Sequence, residues 1–157
     1  MSLRVWLAAG AALLMLAGCA SGPVRRVSEP AVGIQQLTVG ADGGWTLELR
    51  INNFSSIPMR FDALDLKLSV AGQDAGVLTA QPALDIGPES ADVVNVSLKP
   101  QAMARLQVAN ALASAQGIAY SLSGSVRATP EKAKQRSFEV KRDSSLSPVP
   151  GIPGALR

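Results

Sequence analysis

"WTLELRINNFSSIPMRFDALDLKLSV", residues 45–70, decides the fold. In its first half Trp45, Leu47, Leu49 and Ile51 alternate with Thr46, Glu48, Arg50 and Asn52. That period of two puts every apolar side chain on one face of an extended chain, which is the signature of a half-buried strand. After the polar break "NNFSSIP", Leu64, Leu66, Leu68 and Val70 repeat the alternation. "GADGG" (40–44) precedes the first run and "AGQDAG" (71–76) follows the second, and both carry hairpin-turn chemistry.

The same rhythm extends outward. "GIQQLTV" (33–39), "VLTA" (77–80), "DVVNVSLK" (92–99), "IAYSLSGSVRA" (118–128) and "RSFEVKR" (136–142) read as further strands. Val94, Val96 and Leu98 share one face, as do Ile118, Tyr120, Leu122, Gly124 and Val126. Pro58, Pro82 and Pro88 punctuate turns or edges, because proline cannot donate to a ladder. One segment departs from period two. "PQAMARLQVANALASAQG" (100–117) is alanine-rich, opens on proline and stops at glycine, which predicts a helix over 101–115. Met103, Leu106, Val108, Ala109 and Leu112 would supply its apolar face. About seven short antiparallel strands and one helix predict an Ig-like or fibronectin-like β-sandwich.

The single cysteine lies elsewhere, in "VWLAAGAALLMLAGC" (5–19). Arg4 and the apolar run to Ala17 form a signal-peptide pattern. A retained membrane span is the competing reading, but spanning takes about 20 apolar residues. Leu16, Ala17, Gly18 and Cys19 resemble a bacterial lipobox. That resemblance implies cleavage before Cys19 and fatty acylation, palmitate among the acyl groups, at Cys19. Several acyl chains together anchor stably, at about 0.8 kcal/mol per buried methylene. Ala20 at the next position suggests sorting to the outer membrane, facing the periplasm. The expected organisation is a signal peptide (1–18), a lipid-anchored flexible tether (19–32), a sandwich domain (33–142) and a Pro-rich tail (143–157) leaving the fold.

Composition narrows the chemistry. The chain has no histidine and a net charge of only +3. A Ser-His-Asp triad and Cys/His zinc sites therefore fall away. A surplus this small is no nucleic-acid footprint, and 4% aromatic residues is thin for base stacking. Asp62 and Asp65 are three apart, and in a regular strand odd spacing sends them to opposite faces. Trp45 and Tyr120 read as core. No catalytic residue, metal site or cofactor is expected, and a monomer is.

The stretch from Leu47 to Lys99 resembles the WHy domain of the type-2 late embryogenesis abundant proteins. In that family a strand enters an Asn-rich turn, usually Asn-Pro-Asn, followed by an Ile/Leu-Pro step and a second amphipathic strand. Asn52, Asn53, Ile57 and Pro58 occupy those places here, with no proline between the asparagines. The resemblance covers about residues 33–142. It implies a non-catalytic protein protecting against desiccation, freezing or related stress, through weak binding to client proteins or membrane. Asn52 and Asn53 would shape the crossing between sheets or contribute to binding. The alternative is an interaction subunit of an envelope complex, offering an edge strand or the proline tail to a protein partner.

Overall fold

In a computed structural model, residues 22 and 24–157 are described. The signal segment, the lipobox residues Leu16, Ala17 and Gly18, and Cys19 lie outside them. Among the described residues, nine strands and one helix follow in the order β1 (Ala31–Val39), β2 (Trp45–Asn53), β3 (Met59–Val70), β4 (Gln73–Ala80), β5 (Leu84–Ile86), β6 (Ser90–Leu98), α1 (Ala102–Ala113), β7 (Ile118–Pro130), β8 (Arg136–Leu146) and β9 (Ala155–Leu156). The first sheet has the order β6-β2-β1-β9. The second has β4-β3-β7-β8, with β5 also paired to β3. All these pairings are antiparallel. The protein is an antiparallel β-sandwich, as the alternation predicts.

The core lies between the sheets. Leu37, Leu47, Leu49 and Ile51 from the first meet Phe61, Leu66, Leu68, Leu122 and Val126 from the second, and all are fully buried. Two strands exceed the expected seven. β5 is only three residues long, too short to show a period. β9 comes from the Pro-rich tail, which does not leave the fold. Ala155 and Leu156 are fully buried, and they pair with Thr38 and Leu37. Pro150 and Pro153 sit in the loop before β9, and Pro148 bridges Leu156, so no ladder donor is lost where pairing needs one. β8 also runs on to Leu146, past the expected end of the domain.

The expected flexible tether is ordered in its second half. Ser56 N donates to Arg26 O (3.0 Å), and Ser28 N donates to Ser55 Oγ (2.9 Å). These bonds give residues 24–28 partners that a free tether would have found in water.

A β-bulge corrects the reading of Asp62 and Asp65. The pairing of β3 with β7 shifts register between Phe61 and Ala63. Inward residues are Met59 and Phe61 before it, Ala63 within it, and Leu64, Leu66, Leu68 and Val70 after it. The extra residue brings both aspartates to the outer face. Opposite Leu66, Gly124 is exposed rather than inward. Its φ is +153°, and a Cβ there would meet Asp65 O at 2.2 Å. Only glycine fits that approach of two backbones.

The helix buries Val108 and half-buries Leu112 of its expected face, but leaves Met103, Leu106 and Ala109 exposed. Ala104, Val108 and Ala111 are buried, while Met103 and Leu106 are about half exposed. The spacing of four and three makes a stripe of small side chains, which lets the helix pack closely on β4 and β3. Gln101 N donates to Ala75 O (3.1 Å) and fixes the start of the helix on β4. The left-handed residue that ends it is Ala115 (φ 52°), not Gly117.

The open edge of β1 is covered piece by piece. β9 covers β1 only at Leu37 and Thr38. Farther along β1, Ile34 N donates across the sandwich to the Tyr120 hydroxyl (3.1 Å), beside a bulge between Ile34 and Gln36. The Arg142 side chain from β8 lies over Gly33, where a Cβ would meet its Nε at 2.9 Å. On the other side of the sandwich, Gly76 of β4 approaches the Leu98 side chain of β6.

Candidate functional site

The residues singled out in the Asn-rich turn come together at one end of the sandwich. The chain crosses there from the first sheet to the second (β2 to β3) and back again (β5 to β6). Asn53 sits between the crossings, 1% exposed. Its Nδ2 donates to Ile57 O (3.0 Å), Ile86 O (3.1 Å) and Gly87 O (2.9 Å). Its Oδ1 accepts from Ser55 N (2.9 Å). One amide thus satisfies backbone groups of both crossings. Those of Ser55, Ile57 and Ile86 would otherwise be buried without partners.

The neighbouring motif residues have different roles. Ile57 is buried, and Pro58 is exposed on the loop. Asn52 is half-buried, and its Oδ1 accepts from Arg50 Nε at 3.4 Å along the same strand. Asn52 and Asn53 both belong to β2, so neither takes the left-handed conformation that asparagine tolerates. Two residues of this end escaped the sequence reading, Ser55 and Ser56. Ser55 is fully buried, accepts from Ser28 N and lies 3.0 Å from Met59 Sδ. Ser56 Oγ accepts from Arg26 N (2.8 Å) and donates to Val24 O (2.7 Å). The signal was the pair itself, since serines beside a strand end commonly bond neighbouring backbone.

Two ion pairs tie the entering chain to this end. Arg25 reaches Glu131, with Nη2 on its carbonyl (2.6 Å) and Nη1 on its carboxylate (3.3 Å). Arg26 reaches Phe54 O (3.2 Å) and Glu89 (3.4 Å). Farther along β3, Asp62 accepts from Gln135 Nε2 (2.9 Å) and Thr129 Oγ1 (2.7 Å), with Arg60 at 3.4 Å. The Gln135 bond first, then the Thr129 bond, hold its carboxyl below the ordinary 3.8. A carboxyl depressed on folding contributes stability above its unfolded pKa, and that contribution is lost as pH falls through the folded value. Asp62→Asn is therefore expected to lower neutral stability slightly, by no more than about 0.5 kcal/mol, and to flatten the corresponding part of the acid limb of the stability curve below about pH 4. Urea titrations from pH 2 to 7 check this.

Among the described residues, no three His, Cys, Asp or Glu side chains cluster where they could hold a metal ion. No helix among them is long and apolar enough to cross a membrane. Trp45 and Tyr120 are buried, as expected of core residues, though the Trp45 Nε1 has no hydrogen-bond partner.

No curated protein matches the chain. Solved structures do. The solution structure of AT1g01470 from Arabidopsis thaliana is 10% identical, with a TM-score of 0.51, over 83% of this chain and 87% of that one. A crystal structure of a protein from Archaeoglobus fulgidus is 12% identical, with a TM-score of 0.40, over 79% and 98%. At such identity the first likeness bears on fold alone. The family described as late embryogenesis abundant protein, LEA_2, matches residues 48–143. That span runs from the middle of β2 into β8 and includes both crossings, the Asn53 amide and the helix. The chain belongs to the LEA_2 family of late embryogenesis abundant proteins.

Proposed function

We propose that this protein is a lipid-anchored, non-catalytic component of the bacterial cell envelope that protects client proteins or membrane under desiccation or freezing. Family membership over residues 48–143 carries the reading of stress protection. The Leu16-Ala17-Gly18-Cys19 sequence supports the anchor, and Ala20 supports outer-membrane placement facing the periplasm. Polar outer faces suit weak contacts with many clients, because no single deep apolar anchor is needed to exclude water from them. The Pro-rich segment is paired within the sandwich, so it is not presented as a free peptide ligand.

Two experiments bear on the two halves of this reading. Cys19→Ser is expected to accumulate as an unprocessed precursor. Intact mass of the wild-type protein from membranes should show acylated Cys19 as the first residue, and an unmodified thiol there would refute the anchor. For protection, residues 20–157 are expected to preserve a test enzyme through drying better than albumin at equal mass. Albumin controls for crowding, which stabilises by only about 0.2–1 kcal/mol. Equal protection by the two proteins would refute the stress role.

A further inference from the structure

We infer that the sandwich stands end-on upon the bilayer, with the end formed by 54–58, 86–89 and 131–135 in contact with lipid. The inference rests on Cys19 carrying the lipid and adds an orientation and a contact surface to it. The chain enters the fold at this end. Val24 O, Arg26 N and Arg26 O are all bonded to Ser56, and Arg25 is bonded to Glu131. The fixed path therefore begins at Val24, five residues from Cys19.

Length excludes the inverted orientation. Five residues reach at most about 17 Å when fully extended. The thirteen residues of β7 span about 43 Å, and its far end at Ile118 marks the opposite end of the sandwich. A free tether over 19–32 would reach about 45 Å and permit any orientation. The tether as pinned does not let the far end, with the helix terminus and the loop before β9, approach the lipid from which the chain emerges.

The near end has the chemistry of a lipid contact. Val24 is 79% exposed and Phe54 51%, beside exposed Pro58 and Pro88. Lys132 and Lys134 are exposed and have no ion-pair partner among the described residues. Arg25 and Arg26 neutralise Glu131 and Glu89, which leaves Glu29 as the unpaired carboxylate of the entry segment. An aromatic side chain at headgroup level and lysines facing anionic headgroups are both favourable at a membrane surface.

Tryptophan fluorescence tests the orientation. After position 6, Trp45 is the only tryptophan, and it is buried near the far end. The protein purified with its native anchor is placed in vesicles of phosphatidylethanolamine and phosphatidylglycerol with brominated acyl chains. Phe54→Trp is expected to add emission that the bromines quench by half or more, with Lys132→Trp as a second near-end reporter. The wild type and Ile152→Trp are expected to keep their emission. Quenching of Ile152→Trp equal to that of Phe54→Trp, or none at both near-end positions, would overturn the proposal. A parallel arm uses residues 19–157 with Cys19 coupled to a maleimide lipid. It reports the orientation even if the cell leaves Cys19 unacylated, so failure of the anchor and failure of the orientation are told apart.

Discussion

Leu49→Asp is expected to leave no folded domain. Leu49 is fully buried at the centre of β2, flanked by Ile34 of β1 and Val94 of β6. Losing the leucine side chain alone costs about 2–5 kcal/mol. The carboxylate that replaces it has no partner in the core, and it must protonate or draw water inward at a cost of several kcal/mol more. The sum is comparable to the whole stability of a domain this size, about 5–15 kcal/mol. Circular dichroism should lose its strand signal, and proteolysis should cleave throughout residues 24–157. Leu49→Ala separates the two costs and should remain folded with a lowered urea midpoint. Val96→Asp should be milder, because Val96 is 6% exposed on the edge strand β6, where a carboxylate can turn toward water. Native-like dichroism and stability for Leu49→Asp would contradict the buried placement of this face.

Asn53→Ala is expected to destabilise the domain by about 3–5 kcal/mol while preserving its fold. The substitution removes the donors to Ile57 O, Ile86 O and Gly87 O and the acceptor of Ser55 N. Each buried group left unpaired costs about 1–3 kcal/mol. Gly87 is partly exposed, so water can replace the amide there, which keeps the total below the sum of four full penalties. Asn53→Asp should cost at least as much, since it sets a charged oxygen against three carbonyls. Asn52→Ala next door should change stability by no more than about 0.5 kcal/mol, because Asn52 keeps solvent access and one long same-strand contact. Urea unfolding of the three variants measures the contrast. Equal effects at positions 52 and 53 would mean that the amide does not clasp the two crossings.

That contrast marks how far the residues alone reach. Side-chain alternation is a local property, so Leu47, Leu49 and Ile51, or Leu64, Leu66 and Leu68, announce their shared face in the sequence. The same alternation sets Asn52 with the outward residues and Asn53 with the inward ones, but does not show what Asn53 meets. Its partners are carbonyls 33 and 34 residues away, which no local pattern announces. The bulge in β3 did leave a local mark. Ala63 and Leu64 are adjacent and both buried, which an unbroken strand with one solvated face does not allow. Read at face value, that pair would have placed Asp62 and Asp65 on one side. The Pro-rich tail misled for a related reason. Three prolines in six residues signal a break, while the two residues that bring the chain back, Ala155 and Leu156, form too short a run to show a period. In the helix, large side chains suggested the buried face, but close packing on a sheet edge selected the small ones.

The cover along the open edge of β1 bears on what happens as water is withdrawn. Drying raises protein concentration by orders of magnitude, and an unpaired strand is then a template for its own copies. The Tyr120 hydroxyl has taken the outward donor of Ile34, the bulge after it spoils register, and Arg142 lies across Gly33. On β8 the charged run Glu139, Lys141, Arg142 and Asp143 burdens any strand added alongside with uncompensated charge. Along β1 and β8, those few side chains work against self-templated aggregation as the protein around them becomes crowded.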